Sequence, residues 1–87
     1  MTEAELRSRA LEKLLQVAPD IDPDALDPQV PIRDQYDFDS MDFLNFAIAL
    51  AKEFQLNIPE SDYPHLQSLQ DTVDYLVRHT GEQDVSS

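Results

Sequence analysis

The chain has no cysteine and a single glycine, Gly81, in 87 residues. Without cysteine there is neither a disulfide framework nor a thiolate metal site, and a reducing compartment is the natural setting. With one glycine there is no Gly-x-Ser-x-Gly elbow and no glycine-rich oxyanion loop, so a hydrolase triad is not expected. Basic residues are scarce as well: six against eighteen acids give a formal net charge of −12. That balance argues against binding to nucleic acid or an anionic membrane, and favours protein partners with basic surfaces. No apolar run approaches the ~18 residues needed to cross a bilayer. The opening Met1-Thr2-Glu3-Ala4-Glu5 is acidic and has no apolar signal core. A soluble, cytoplasmic protein without membrane insertion is expected, and its like charge favours a monomer.

Two further chemistries fail on inspection. Asp20-Ile21-Asp22-Pro23-Asp24 is similar to the start of a calcium loop. Its sixth position is Ala25 where glycine is needed, and its twelfth is Pro31 where a bidentate glutamate is needed. No metal site is therefore expected. Nucleophilic catalysis would need a base beside a serine, and the two histidines, His65 and His79, share no local motif with one. Asp39 and Asp42 are read as helix-capping acids and not as an acid/base pair.

What the chain does have is helical periodicity. Thr2-Glu3-Ala4-Glu5 forms a capping box, and Leu6, Ala10, Leu11, Leu14 and Leu15 make one face of a helix running to about Val17, where Pro19 ends it. A long loop reaches to about Tyr36 with at most a short helical turn at Asp22–Leu26; its Ile21, Leu26, Val30 and Ile32 suit a segment pinned across a core. The second helix is expected from Ser40 to about Gln55. One stripe, Phe43, Phe46, Ala47, Leu50 and Phe54, belongs in the core; a second, Met41, Leu44 and Ile48, is assigned to a partner. A short helix with Pro59 at its first position follows, and Pro64 limits it. Ser68-Leu69-Gln70-Asp71 starts the last long helix, with Leu69, Val73, Leu76 and Val77 on one face and Gly81 as the stop.

The fold class is thus all-α: a four-helix bundle of three longer helices, one short helix between the last two, and a long loop between the first and second. Residues 1–82 form the domain and 83–87 a polar tail. Ser40 stands at the start of the second helix, after Asp39 as N-cap and before Asp42 three positions beyond the cap, so its hydroxyl is expected to be exposed in a field that favours phosphate.

This arrangement resembles the acyl carrier protein family, four-helix carriers that bear 4′-phosphopantetheine on a serine opening their second helix. Asp39-Ser40-Met41-Asp42 is similar to the family's Asp-Ser-Leu-Asp attachment motif. Phe54-Gln55-Leu56-Asn57-Ile58-Pro59 resembles its turn out of the second helix, and Asp74-Tyr75-Leu76 matches in the last. The resemblance implies a carrier and not an enzyme. A phosphopantetheinyl transferase, using coenzyme A and magnesium, would modify Ser40, with Asp39 and Met41 flanking the cofactor. The carried acyl group would pass between ligase or synthase enzymes that read Asp39, Met41, Asp42, Leu44, Asn45 and Ile48.

The chain also departs from the family. Asp37 stands where the family has glycine before Asp-Ser, an aspartate expected to tolerate a left-handed backbone. Phe38 replaces a small residue; it either packs under the loop or reshapes the surface that enzymes meet. Asn45, Ala51 and Lys52 deplete the acidic stripe of fatty-acid carriers, which points to a specialised pathway. Ala47, Ala49 and Ala51 leave room along the second helix, while three phenylalanines limit the space for a long acyl chain. The rival expectation is an unmodified acidic helical adaptor that binds a basic protein through the same helix.

Overall fold

Helix α1 spans Glu3–Val17. Its start is the expected capping box: the Glu5 N–H donates to Thr2 Oγ1 at 3.2 Å and the Thr2 N–H returns to Glu5 Oε1 at 2.8 Å. That backbone bond is the main reason the Glu5 carboxyl titrates below its ordinary range. Leu6, Ala10 and Leu14 are fully buried along one face. In this computed structural model, which describes residues 2–80, every regular element among those residues is helical. Gly81, the expected helix stop, and the 83–87 tail lie outside the described residues.

The loop after α1 is pinned as its apolar residues suggested, with Ile21, Leu26 and Ile32 buried and Val30 half-buried. It also contains an element that was not expected, the four-residue helix α2 at Ile32–Gln35. Two distant bonds secure it, Ile32 N–H to Gln67 O and Gln70 N–H to Pro28 O, both 2.9 Å. Gln35 adds a local clamp, donating to the carbonyls of Asp27 and Val30 while its Oε1 accepts from the Asp27 N–H.

Helix α3 spans Ser40–Phe54 and buries Phe46, Ala47 and Leu50 completely. Phe43 and Phe54, assigned to the same core stripe, are only half-buried: they sit at its edges and pack against it from outside. Arg9 and Lys13 of α1 both reach Glu53, at 2.8 and 3.3 Å, and Arg7 donates to Gln70 at 2.6 Å. These contacts fix α1 against α3 and the last helix.

A 3-10 helix, Glu60–Leu66, carries Pro64 inside it and is the expected short element. Pro59 is its N-cap and not its first helical residue, because ψ of 156° keeps the chain extended there. Helix α4, Leu69–Thr80, starts under Ser68, whose Oγ accepts from the Asp71 N–H at 3.0 Å. Its buried face holds Leu69, Val73 and Leu76 as expected, with Thr72 and Tyr75 in addition. Thr72 is accommodated by donating its hydroxyl to the Ser68 and Leu66 carbonyls.

Candidate functional site

The chain enters α3 in extended conformation at Asp39 (φ −86°, ψ −176°) and turns helical at Ser40. Asp39 Oδ1 accepts from the Asp42 N–H at 2.9 Å, and the Asp39 carbonyl accepts from the Phe43 N–H at 2.9 Å. The first-turn N–H groups of Ser40 and Met41 have no partner within the helix, and a helix start of this kind favours an anion. Ser40 is exposed, and its hydroxyl has no hydrogen-bond partner among the described residues. Asp37 does not use the left-handed backbone expected of it: among the described residues only Gln55 has positive φ apart from glycine. On either side of the Asp37–Phe38 pair the backbone is extended, at Tyr36 (φ −138°, ψ 162°) and at Asp39, conformations that need no special residue.

Phe38 takes the first of its two expected places. It is only 7% exposed, and its ring meets Phe43 and Phe46 edge-to-face at 6.5 and 6.4 Å. Phe43 continues the series to Tyr63 on the 3-10 helix, at 5.6 Å and 80°. Such perpendicular pairs place a ring edge on a ring face, the favoured arrangement for aromatic quadrupoles. The series therefore bridges the entry loop, α3 and the 3-10 helix beneath Ser40.

Above these rings lies a cavity of about 460 Å³ lined by Arg33, Phe38, Asp39, Ser40, Phe43, Leu44, Glu60, Tyr63 and Gln67. Of the attachment and partner-binding residues expected from the sequence, Ser40, Asp39 and Leu44 meet at this cavity. Met41, 62% exposed, and Ile48, 44% exposed, stand on the adjacent face with exposed Asn45, and Leu44 is half-buried between that face and the cavity. Asp42 is half-buried and serves the cap through its backbone. Arg33, Glu60, Tyr63 and Gln67 were not singled out, since they come from α2 and the 3-10 helix and reach Ser40 only through tertiary packing. The one local signal was Arg33 itself, an isolated base in a run of aspartates.

His65 and His79 are exposed and both stack on the ring of Tyr75, at 6.4 and 4.1 Å, and neither lines the cavity that holds Ser40. No group of His, Cys, Asp or Glu among the described residues is arranged to hold a metal ion. An exposed, unpartnered hydroxyl at a helix start, beside a cavity with one arginine and an aromatic floor, suits a covalently attached phosphodiester.

The comparisons agree. Residues 9–76 match the family model described as "Phosphopantetheine attachment site". The acyl carrier protein of Chlorobium luteolum is 28% identical over 78 residues, covering 90% of this chain and 99% of that protein. That of Thermosynechococcus vestitus is 29% identical over 73 residues, 80% of this chain and 90% of its own. A third, from Bdellovibrio bacteriovorus, is 34% identical over 56 residues, 64% of this chain and 72% of its own. With the family model matched across most of its length, the chain belongs to the acyl carrier protein family, whose members are carriers and not enzymes and hold 4′-phosphopantetheine covalently on a serine.

Proposed function

We propose that Ser40 is the attachment serine and that this protein shuttles an acyl group between partner enzymes. The observation that carries the reading is the Ser40 hydroxyl: exposed, without a hydrogen-bond partner among the described residues, first in α3, and open to the cavity. On a phosphopantetheinyl transferase, Ser40 Oγ would form the bond to phosphorus, its proton passing to a base of that enzyme and adenosine 3′,5′-bisphosphate leaving from coenzyme A. When bound, the arm supplies a thiol that holds the acyl group as an activated thioester. Asp39 keeps the α3 start in place through the Asp42 N–H, so that the hydroxyl is presented at a fixed point.

Enzyme partners would meet Asp39, Met41, Asp42, Leu44, Asn45 and Ile48. The apolar members give contact area, and the acids steer encounter toward basic surfaces. The expected sign of modification is a mass increase of one phosphopantetheine after incubation with coenzyme A, magnesium and a broad transferase, abolished by Ser40→Ala. No increase with any transferase tried would favour the unmodified adaptor instead.

The same surface supports a specialised pathway with its own ligase or synthase. Exposed Asn45 and Lys52 and half-buried Ala51 stand where fatty-acid carriers place acids, and Phe38 fills the floor beside the serine. Such a carrier should be loaded poorly by the malonyl transferase of fatty acid synthesis. Normal loading by that enzyme, or rescue of a strain lacking its general carrier, would remove the specialised reading and leave the attachment role intact.

A further inference from the structure

Arg33 is the only lysine or arginine between Lys13 and Lys52, a stretch that contains eight aspartates. Most bases outside this stretch have evident structural work: Arg9 and Lys13 hold Glu53, and Arg7 holds Gln70. Arg33 has no ion pair or hydrogen bond among the described residues, yet it lines the cavity together with Ser40, Asp39 and Glu60. Its backbone is anchored. The neighbouring Ile32 is fully buried and donates its N–H to Gln67 O, and the Tyr36 N–H closes the turn onto the Ile32 carbonyl at 2.9 Å. A flexible side chain therefore leaves a fixed point beside the serine.

A phosphodiester formed at Ser40 adds a negative charge to a cavity that already has Asp39 and Glu60 on its wall. Its phosphorus is one bond from Oγ, so that charge has to lie here whatever the rest of the arm does. A guanidinium presents paired N–H donors that match two phosphate oxygens, which a lone ammonium does not. We propose that Arg33 pairs with the phosphodiester on Ser40, offsetting the charge added beside Asp39 and Glu60 and holding the base of the arm against the Phe38, Phe43 and Tyr63 wall. The inference rests on Ser40 being the attachment serine. It concerns the phosphate and not the cargo, since only the phosphate is fixed at this cavity by a covalent bond.

The test uses the full chain in unloaded and fully loaded forms, with loading verified by intact mass. The arginine Nε–H signals are followed by ¹H–¹⁵N NMR, the Arg33 signal being assigned by its loss in Arg33→Gln, and the arm is followed by its ³¹P resonance. On loading, the Arg33 Nε–H signal should shift while those of Arg7 and Arg9 stay in place. The ³¹P resonance of loaded Arg33→Gln should differ from wild type, with Arg33→Lys intermediate. An Arg33 signal that stays in place in a fully loaded protein, or that moves only when an acyl group is added to the thiol, overturns the pairing alone. A mass that does not rise overturns the attachment role of Ser40, and the pairing with it.

Discussion

Tyr75 is 1% exposed in the middle of α4, and its hydroxyl donates to Asp62 Oδ2 on the 3-10 helix at 2.8 Å. Burial, and then the bond to Asp62 and the charge of that carboxylate, push the phenol up to about 12. A group whose folded-state value lies above its unfolded value of ~10 stabilises the fold below pH ~10 and loses that contribution as the pH rises toward 12. Stability from urea unfolding should accordingly fall faster between pH 10 and 12 in the wild type than in Tyr75→Phe, which has no phenol to ionise at that buried position. Absorbance of phenolate should also show one of the three tyrosines ionising late. Loss of the Tyr75 proton near pH 10 would contradict the burial account. The contact matters beyond stability, because the 3-10 helix that it ties to α4 also carries Glu60 and Tyr63 to the cavity.

At the scale of elements, the exit from α3 carries a visible cost. Gln55 caps the helix at φ 53°, ψ 46°, a left-handed conformation that crowds the Cβ of any residue except glycine. The turn is held there by the Gln55 and Leu56 N–H groups, both of which reach the Ala51 carbonyl. Gln55→Gly should remove the crowding and, after the larger unfolded-state entropy of glycine, raise stability by about 0.5–1 kcal/mol, or roughly 3–6 °C in melting temperature. Gln55→Ala should give no such gain; equal melting temperatures for the two variants would show that the cap is unstrained. This turn was legible in the sequence as the end of the helix, though its strained residue was not. Legibility followed locality. The Thr2–Glu5 box, the Asp39 cap and the Ser68 start each lie within a few residues of their partners, and all three appear where expected. Helix α2 was not legible, because four residues cannot hold a helix without the distant Gln67 carbonyl, which accepts from Ile32, and the distant Gln70 N–H, which donates to Pro28 just before it. The cavity wall failed for the same reason, as Arg33, Tyr63 and Gln67 share a surface only after the loop and the 3-10 helix have packed. Phe43 shows the limit of periodicity, which assigned it to the core stripe without showing that its ring would end at the stripe's edge.

The whole molecule carries a net charge of −12 within a radius of gyration of 12.3 Å. At 0.01 M ionic strength the screening length is about 30 Å, so charges across the entire domain repel one another; at 1 M it falls to about 3 Å. Screening also weakens favourable pairs. The principal pairs between helices converge on Glu53, where Arg9 and then Lys13 hold the carboxyl below its ordinary range, and surface pairs of this kind add little stability each. With acids outnumbering bases three to one, the repulsion relieved should exceed the attraction lost. The melting temperature should therefore rise from low salt to 1 M sodium chloride. Encounter with enzymes should respond in the opposite sense, because the same acids attract basic surfaces only while they are unscreened. Over one salt series, thermal stability should climb while the rate of loading by the transferase at limiting carrier concentration declines. A melting temperature that falls with salt would mean that the Glu53 pairs, and not the surplus acids, dominate the electrostatics of the fold, and a loading rate insensitive to salt would mean that the acids take no part in recruiting that enzyme.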